Sequence, residues 1–261
     1  MNSDLRKSIS KVLTTPIECT TRRGENREIK LEGSVIRSTQ TYYSGLDPDM
    51  SDFSVGFYEV LYKDILPRKN PATLLNGDQF CNKAFAGDTM NSFYTIEQLI
   101  LDATSGARPE YLEDFFASYH CLANFWLIPM HIGRTSSWTP AENARWAKTS
   151  KKYDTQDYVD RFLRLLKSHL PQYRDLYPDY FANKSMDSFE DFVDIHHLIG
   201  SYVDEEMGIL EYSTNTANPE LIVEFMQTSI RARADVISGS SYAEELGRYF
   251  NELGLLETKL R

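Results

Sequence analysis

Cysteine is scarce: the chain has 3 in 261 residues, Cys19, Cys81 and Cys121, far apart and without a C-x-x-C pair. An odd, scattered set excludes a disulfide framework and a cysteine-based zinc site. Free thiols of this kind are what a cytoplasmic protein is expected to carry. No apolar run of about 18 residues or more occurs, so neither a membrane span nor a membrane partner is expected. Met1 to Thr15 is polar and charged, with no apolar stretch of the signal-peptide kind. The glycine patterns GxxxxGK[ST] and GxGxxG are missing, as are HExxH and GxSxG. Their absence removes the motif-bearing NTPases, dinucleotide enzymes, zincins and α/β-hydrolases. Basic residues are missing from one whole stretch: between Ser185 and Ile230 there are ten acidic residues and no Lys or Arg. The net charge of −10 belongs to this stretch, because the remaining 28 of 38 Asp and Glu balance the 28 Lys and Arg. A field attractive to nucleic acid over the whole surface is thereby excluded.

What is present is an ordinary globular composition, with 41% hydrophobic residues, 25% charged and 13% aromatic. The aromatics alone argue against disorder. The pattern predicts a mainly α fold, a compact multi-helix array with a small N-terminal strand element, in a single domain over 1–261. Within it, 1–90 reads as a mixed N-terminal part and 91–261 as the helical core. Residues 1–13 suit a short amphipathic helix. Residues 27–43 alternate and hold β-branched and aromatic side chains, so they read as strands broken at Gly33. Ser51 caps a helix through Asp64, and 67–91 reads as a long loop of the kind that often carries function. A helix opening at Pro109 is expected to run to Ile128, another to run from Asp154 to Leu170 and stop at Pro171. Ser188 caps a helix reaching Met207, Pro219 opens one over 219–236, and Ser241 opens the last.

Three groups of residues suggest chemistry. Tyr119–Met130 is apolar all round, which on a helix means burial. Within it His120 and Asn124, four residues apart, would share a face. Buried polar groups need partners, which Asp88 and Asn91 in the preceding loop, or Arg134 just downstream, would supply. The set His120, Asn124, Arg134, Asp88 and Asn91 is therefore a candidate catalytic pocket with His120 as acid or base; the plain alternative is a satisfied network that pins a loop. On the predicted 188–207 helix, Glu190, Asp194 and His197 fall on one face and would offer two carboxylates and an imidazole to a divalent metal. The plain alternative there is a solvated polar face. Finally, Arg164 and His169 fit an Arg-x4-His spacing in a segment, 134–174, that holds nine Lys and Arg.

The blocks GDTMNSF (87–93) and YHCLANFWLIP followed by IGR (119–134) resemble an uncharacterised bacterial family of unknown function, and LDPDMSDF and LYKDILP are similar to its upstream pattern. The resemblance covers roughly 40–170 and implies a bacterial cytoplasmic protein. The Arg164/His169 spacing in turn is similar to that of HEPN-type ribonucleases, in which the Arg would steady phosphate and the His would assist attack by a 2′-hydroxyl. Together these readings lead to an enzyme acting on RNA or a nucleotide, of the sort that serves in stress or phage defence. Two alternatives stand beside it: a non-enzymatic module that meets a protein partner through the acidic 185–230 surface, and a metal-dependent hydrolase.

Overall fold

A computed structural model describes residues 3–19, 27–39, 51–64, 80–84, 100–102, 104–129, 159–176, 178–181, 186–212 and 218–256. The N-terminal helix α1 (Ser3–Thr14) has Asp4 in its first turn and Lys11 in its last, the arrangement the helix dipole favours. Ile9, Val12 and Leu13, spaced three and four apart, form its buried stripe. After it come β1 (Ile17–Cys19), β2 (Arg27–Leu31) and β3 (Ser34–Thr39), an antiparallel sheet in the order β1-β2-β3. Leu31 pairs with Ser34 across a two-residue turn. Its central residues, Glu32 and Gly33, both have positive φ (48° and 74°), the hairpin turn that matches strand twist. Helix α2 (Asp52–Leu61) opens on Ser51, whose side chain accepts the Ser54 N–H as expected of a cap.

The next elements depart from the sequence reading. β4 (Phe80–Ala84) lies inside the stretch expected to be a loop. Helix α3 (Glu110–Ser118) stops ten residues before Ile128, and Phe125–Pro129 is a strand, β5, antiparallel to β4. A single 3-10 turn, Leu122–Asn124, leads into it. An apolar run of this length is ambiguous between buried helix and buried strand. Its ladder partner lies about 45 residues earlier and decides the matter.

Helix α4 (Val159–Leu176) passes through Pro171 instead of ending there. It does so by a kink: His169 leaves helical geometry (φ −133°, ψ 26°), two residues before the ring that cannot donate a backbone hydrogen bond. A short α5 (Pro178–Phe181) follows. Helix α6 (Phe189–His196) opens with a full capping box between Ser188 and Asp191. It ends eleven residues before Met207 because His197 adopts the left-handed conformation (φ 58°), and Leu198 N–H reaches back to Val193 O while His197 N–H reaches Asp194 O. This is the paired closure usually made with glycine.

Helix α7 (Pro219–Gly239) carries proline at its start, and α8 (Ala243–Glu252) is strongly amphipathic, burying Leu246 and Phe250. The mainly α reading holds, with eight α-helices among the described residues. α1 packs on both α7 and α8, and α7 also packs on α3 and on the turn before β5. One hydrophobic cluster runs from Ile9 to Leu256. Among the described residues no helix is long and apolar enough to cross a membrane.

Candidate functional site

Of the expected pocket, Asp88, Asn91 and Arg134 lie outside the described residues. His120 and Asn124 do not share a helix face, since the chain turns between them. Asn124 is buried, and its Nδ2 donates to Tyr119 O at 3.0 Å, closing that turn. His120 is half-buried, its ring 3.9 Å from that of Tyr119, and its carbonyl accepts the Ile17 N–H at 2.7 Å. Asn124 thus has a clear structural task. Cys121 between them is fully enclosed, and burial pushes its thiol up to about 12 although the Asn124 and Ala123 N–H groups point at it. That thiol is inert at neutral pH.

Arg164 is held by carboxylates: its Nη1 meets Glu211 at 2.7 Å and its Nη2 meets Asp160 at 3.3 Å. His169, at the kink, turns Nδ1 toward Leu165 O at 3.3 Å. Glu190 and Asp194 are exposed on α6, whereas His197 lies past its end, with Nδ1 against Ile195 O at 3.0 Å and its ring on that of Tyr242. The helical projection that aligned the three does not extend to His197. Among the described residues no three His, Cys, Asp or Glu side chains gather as metal ligands.

The ten acids of 185–230 divide into two kinds. Asp187 binds Arg174 at 2.8 Å, Glu211 binds Arg164, Asp191 serves the capping box, and Asp204 accepts the N–H groups of Glu206 and Gly208. Glu190, Asp194, Glu205, Glu206, Glu220 and Glu224 face solvent. Part of the acidic stretch is therefore the seat of the basic helix α4, which also lays Lys167 against Met207 O at 2.7 Å.

The most unusual polar group went unnoticed in the sequence. Arg233 of α7 has no exposed surface, yet it contacts no carboxylate among the described residues. Its Nε donates to His196 O at 2.8 Å, its Nη1 to Ala123 O at 2.6 Å and Phe125 O at 3.0 Å, and its Nη2 to Tyr62 Oη at 3.1 Å. The guanidinium also lies 5.2 Å from the centre of the Trp126 ring. His196 completes the cluster, with Tyr62 Oη 3.0 Å from Nδ1 and Tyr180 Oη 2.7 Å from Nε2. The signal was in the phase of α7: Met226, Ile230, Arg233 and Ile237 recur on one buried stripe, so Arg233 takes an apolar position while Arg231 points outward. Buried throughout, this cluster ties the end of α2, β5, α6 and α7 together.

Among the described residues, concave and accessible surface lies along α1. A groove of about 410 Å³ separates α1 from the β2–β3 turn and the end of α8, with Lys7, Lys11, Thr15, Glu32, Ser34 and Gly254 among its walls. A second hollow of about 390 Å³ continues along the helix between Ser3, Arg6, Lys7, Ser10 and Asp235. Lys7 borders both. Lys11 Nζ sits 3.9 Å from Glu32 in an exposed pair, and Lys7 has no ion-pair partner among the described residues. Thr15 Oγ1 donates to Lys11 O and Ser8 Oγ to Asp4 O, so each oxygen keeps acceptor capacity toward the groove. Arg6 lies across Gly239, where an added Cβ would stand 3.2 Å from the guanidinium carbon, and donates to Asp235 O.

Comparison with family models, curated proteins and solved structures gives no match. The groove therefore has to be judged on its chemistry alone. Three cations line a tract that two carboxylates border, on a protein that is otherwise acidic. The volume falls in the range of small-molecule sites.

Proposed function

We propose that the protein takes a phosphate-bearing ligand, an RNA or a nucleotide, in the groove beside α1. The observation that carries this reading is the placement of Lys7 and Lys11 one helical turn apart on one wall of a concave surface, with Arg6 continuing the line. Ammonium groups of this kind serve phosphate as point charges, and nearby hydroxyls and backbone would fix orientation. The reading keeps the bacterial cytoplasmic setting that the resemblance implies. His120 joins it through the backbone: the Ile17 N–H that its carbonyl accepts lies two residues beyond Thr15 at the groove's end.

The test is equilibrium binding of ATP and of a short oligo-uridylate at low salt, to wild type, Lys7→Ala, Lys11→Ala and the double variant. Both lysines are exposed, so the fold should survive. Each loss is expected to weaken binding roughly tenfold, about 1.4 kcal/mol. Oligonucleotide binding should lose slope against log salt by about 0.7 for each phosphate contact removed. Saturation by the mononucleotide alone identifies the nucleotide form of the proposal; length-dependent binding identifies RNA. Unchanged affinity in the double variant, or no binding of either ligand to wild type, sinks it.

A further inference from the structure

The hydrogen bonds around His196 admit one arrangement of protons. Leu127 O can only accept, so the Tyr180 hydroxyl donates its single hydrogen there, at 3.1 Å. Tyr180 Oη then has only acceptor capacity left, and at 2.7 Å from it His196 Nε2 has to be the donor. A neutral imidazole carries one N–H, so Nδ1 accepts, and it accepts from the Tyr62 hydroxyl at 3.0 Å. Tyr62 Oη in turn accepts from Arg233 Nη2 at 3.1 Å and faces the Leu127 N–H. The direction is fixed from end to end: Arg233 to Tyr62, Tyr62 to His196, His196 to Tyr180, Tyr180 to Leu127 O.

A proton added at Nδ1 breaks this order. Two donors, Nδ1–H and the Tyr62 O–H, would then face each other. The Tyr62 hydrogen has nowhere to turn, since its other neighbours, Arg233 Nη2 and Leu127 N–H, are donors too. The new cation would also share the site with the Arg233 guanidinium. Among the described residues, the groups that face His196 are Tyr62 at the end of α2, Trp126 from β5, Tyr180 from α5, Phe192 from α6, His197 just past its end, and Arg233 from α7. Among the described residues none of these is a carboxylate that would offset the charge.

We propose that this one-way chain is an acid-labile latch, which holds β5 to α2 and α7 while His196 is neutral and releases it when His196 is protonated. Burial first, then Arg233 and His197, hold the imidazole well below its ordinary value of 6.5. His197, mainly through burial, is lowered to about 4. Both are therefore neutral in the folded state and protonated in the unfolded state just below pH 6.5. The unfolded state binds more protons there, so stability falls as pH drops from 6.5 toward the folded values.

The experiment compares urea unfolding of wild type and His196→Gln between about pH 6.5 and 5.5, alongside nitrogen-15 NMR of the wild-type imidazoles. Over that unit each histidine kept neutral by folding multiplies the unfolding constant by about fivefold. Wild type should therefore change about fivefold more than His196→Gln, in which His197 alone remains of the pair. The NMR should show His196 as the Nε2–H tautomer, still neutral at pH 5.5. Equal pH dependence in the two proteins overturns the latch, as does an Nδ1–H tautomer or a protonated, folded His196 at pH 5.5. The NMR arm decides by itself if His196→Gln does not fold.

Discussion

Arg174 and Arg233 solve the problem of a positive charge in opposite ways. Arg174 meets the Asp187 carboxylate at 2.8 Å, with the two side chains 44% and 69% exposed. Arg233 meets no carboxylate among the described residues and has no exposure at all. The first looks like the better electrostatic match, yet water and salt screen it, and such pairs contribute about 0–1 kcal/mol. The second rests on carbonyl and hydroxyl oxygens in a site where every unmade hydrogen bond is expensive. Geometry around a buried cation, more than the sign of its neighbours, sets what it holds together.

The largest effect should come from Arg233. Arg233→Met takes the guanidinium donors from the buried carbonyls of Ala123, Phe125 and His196, and one of two donors from the Tyr62 hydroxyl. With each buried orphan costing about 1–3 kcal/mol, urea unfolding should show a loss of at least about 3 kcal/mol. Arg233→Lys should recover little of it, because one ammonium cannot span the acceptors that the planar fork reaches. Full rescue by lysine would collapse the distinction between the two arginines. Between the extremes stands Asp160, a carboxylate with no exposed side-chain surface that receives Arg164 at 3.3 Å and the Tyr212 N–H at 3.4 Å. Asp160→Ala should cost about 1–3 kcal/mol by the same unfolding measurement, with most of the loss surviving high salt. The smallest effect is expected at the surface. Arg174→Ala should cost under about 1 kcal/mol, vanishing between about 0.1 and 1 M salt. A larger, salt-resistant loss would mean that α4 and the acidic stretch form a dry interface.

Local signals were legible in advance. The Ser51 and Ser188 caps, the turn at Gly33 and Pro219 at the head of α7 are written in a few adjacent residues, and each stands where expected. Signals that depend on a distant partner were not. Phe125–Pro129 resembles helix or strand equally until Phe80–Ala84 is placed beside it. His197 looked like a continuing helical residue because a left-handed closure without glycine has no marker. His196 lies on the apolar side of its helix and is fully buried, but its partners Tyr62, Tyr180 and Arg233 come from three other elements. The shared helix face expected of His120 and Asn124 is absent for the same reason: it assumed the periodicity of a helix that ends at Ser118.

The pairing of α1 with α7 has a consequence for how the protein is made. Ile9, Val12 and Leu13 find their cover on helices that begin about two hundred residues later. A ribosome adding roughly 5–20 residues each second leaves that stripe exposed for on the order of 10–40 s before its partner has emerged. Helix α1 is thus settled long after it is made, and a chaperone that recognises short apolar stripes would have that interval to bind it.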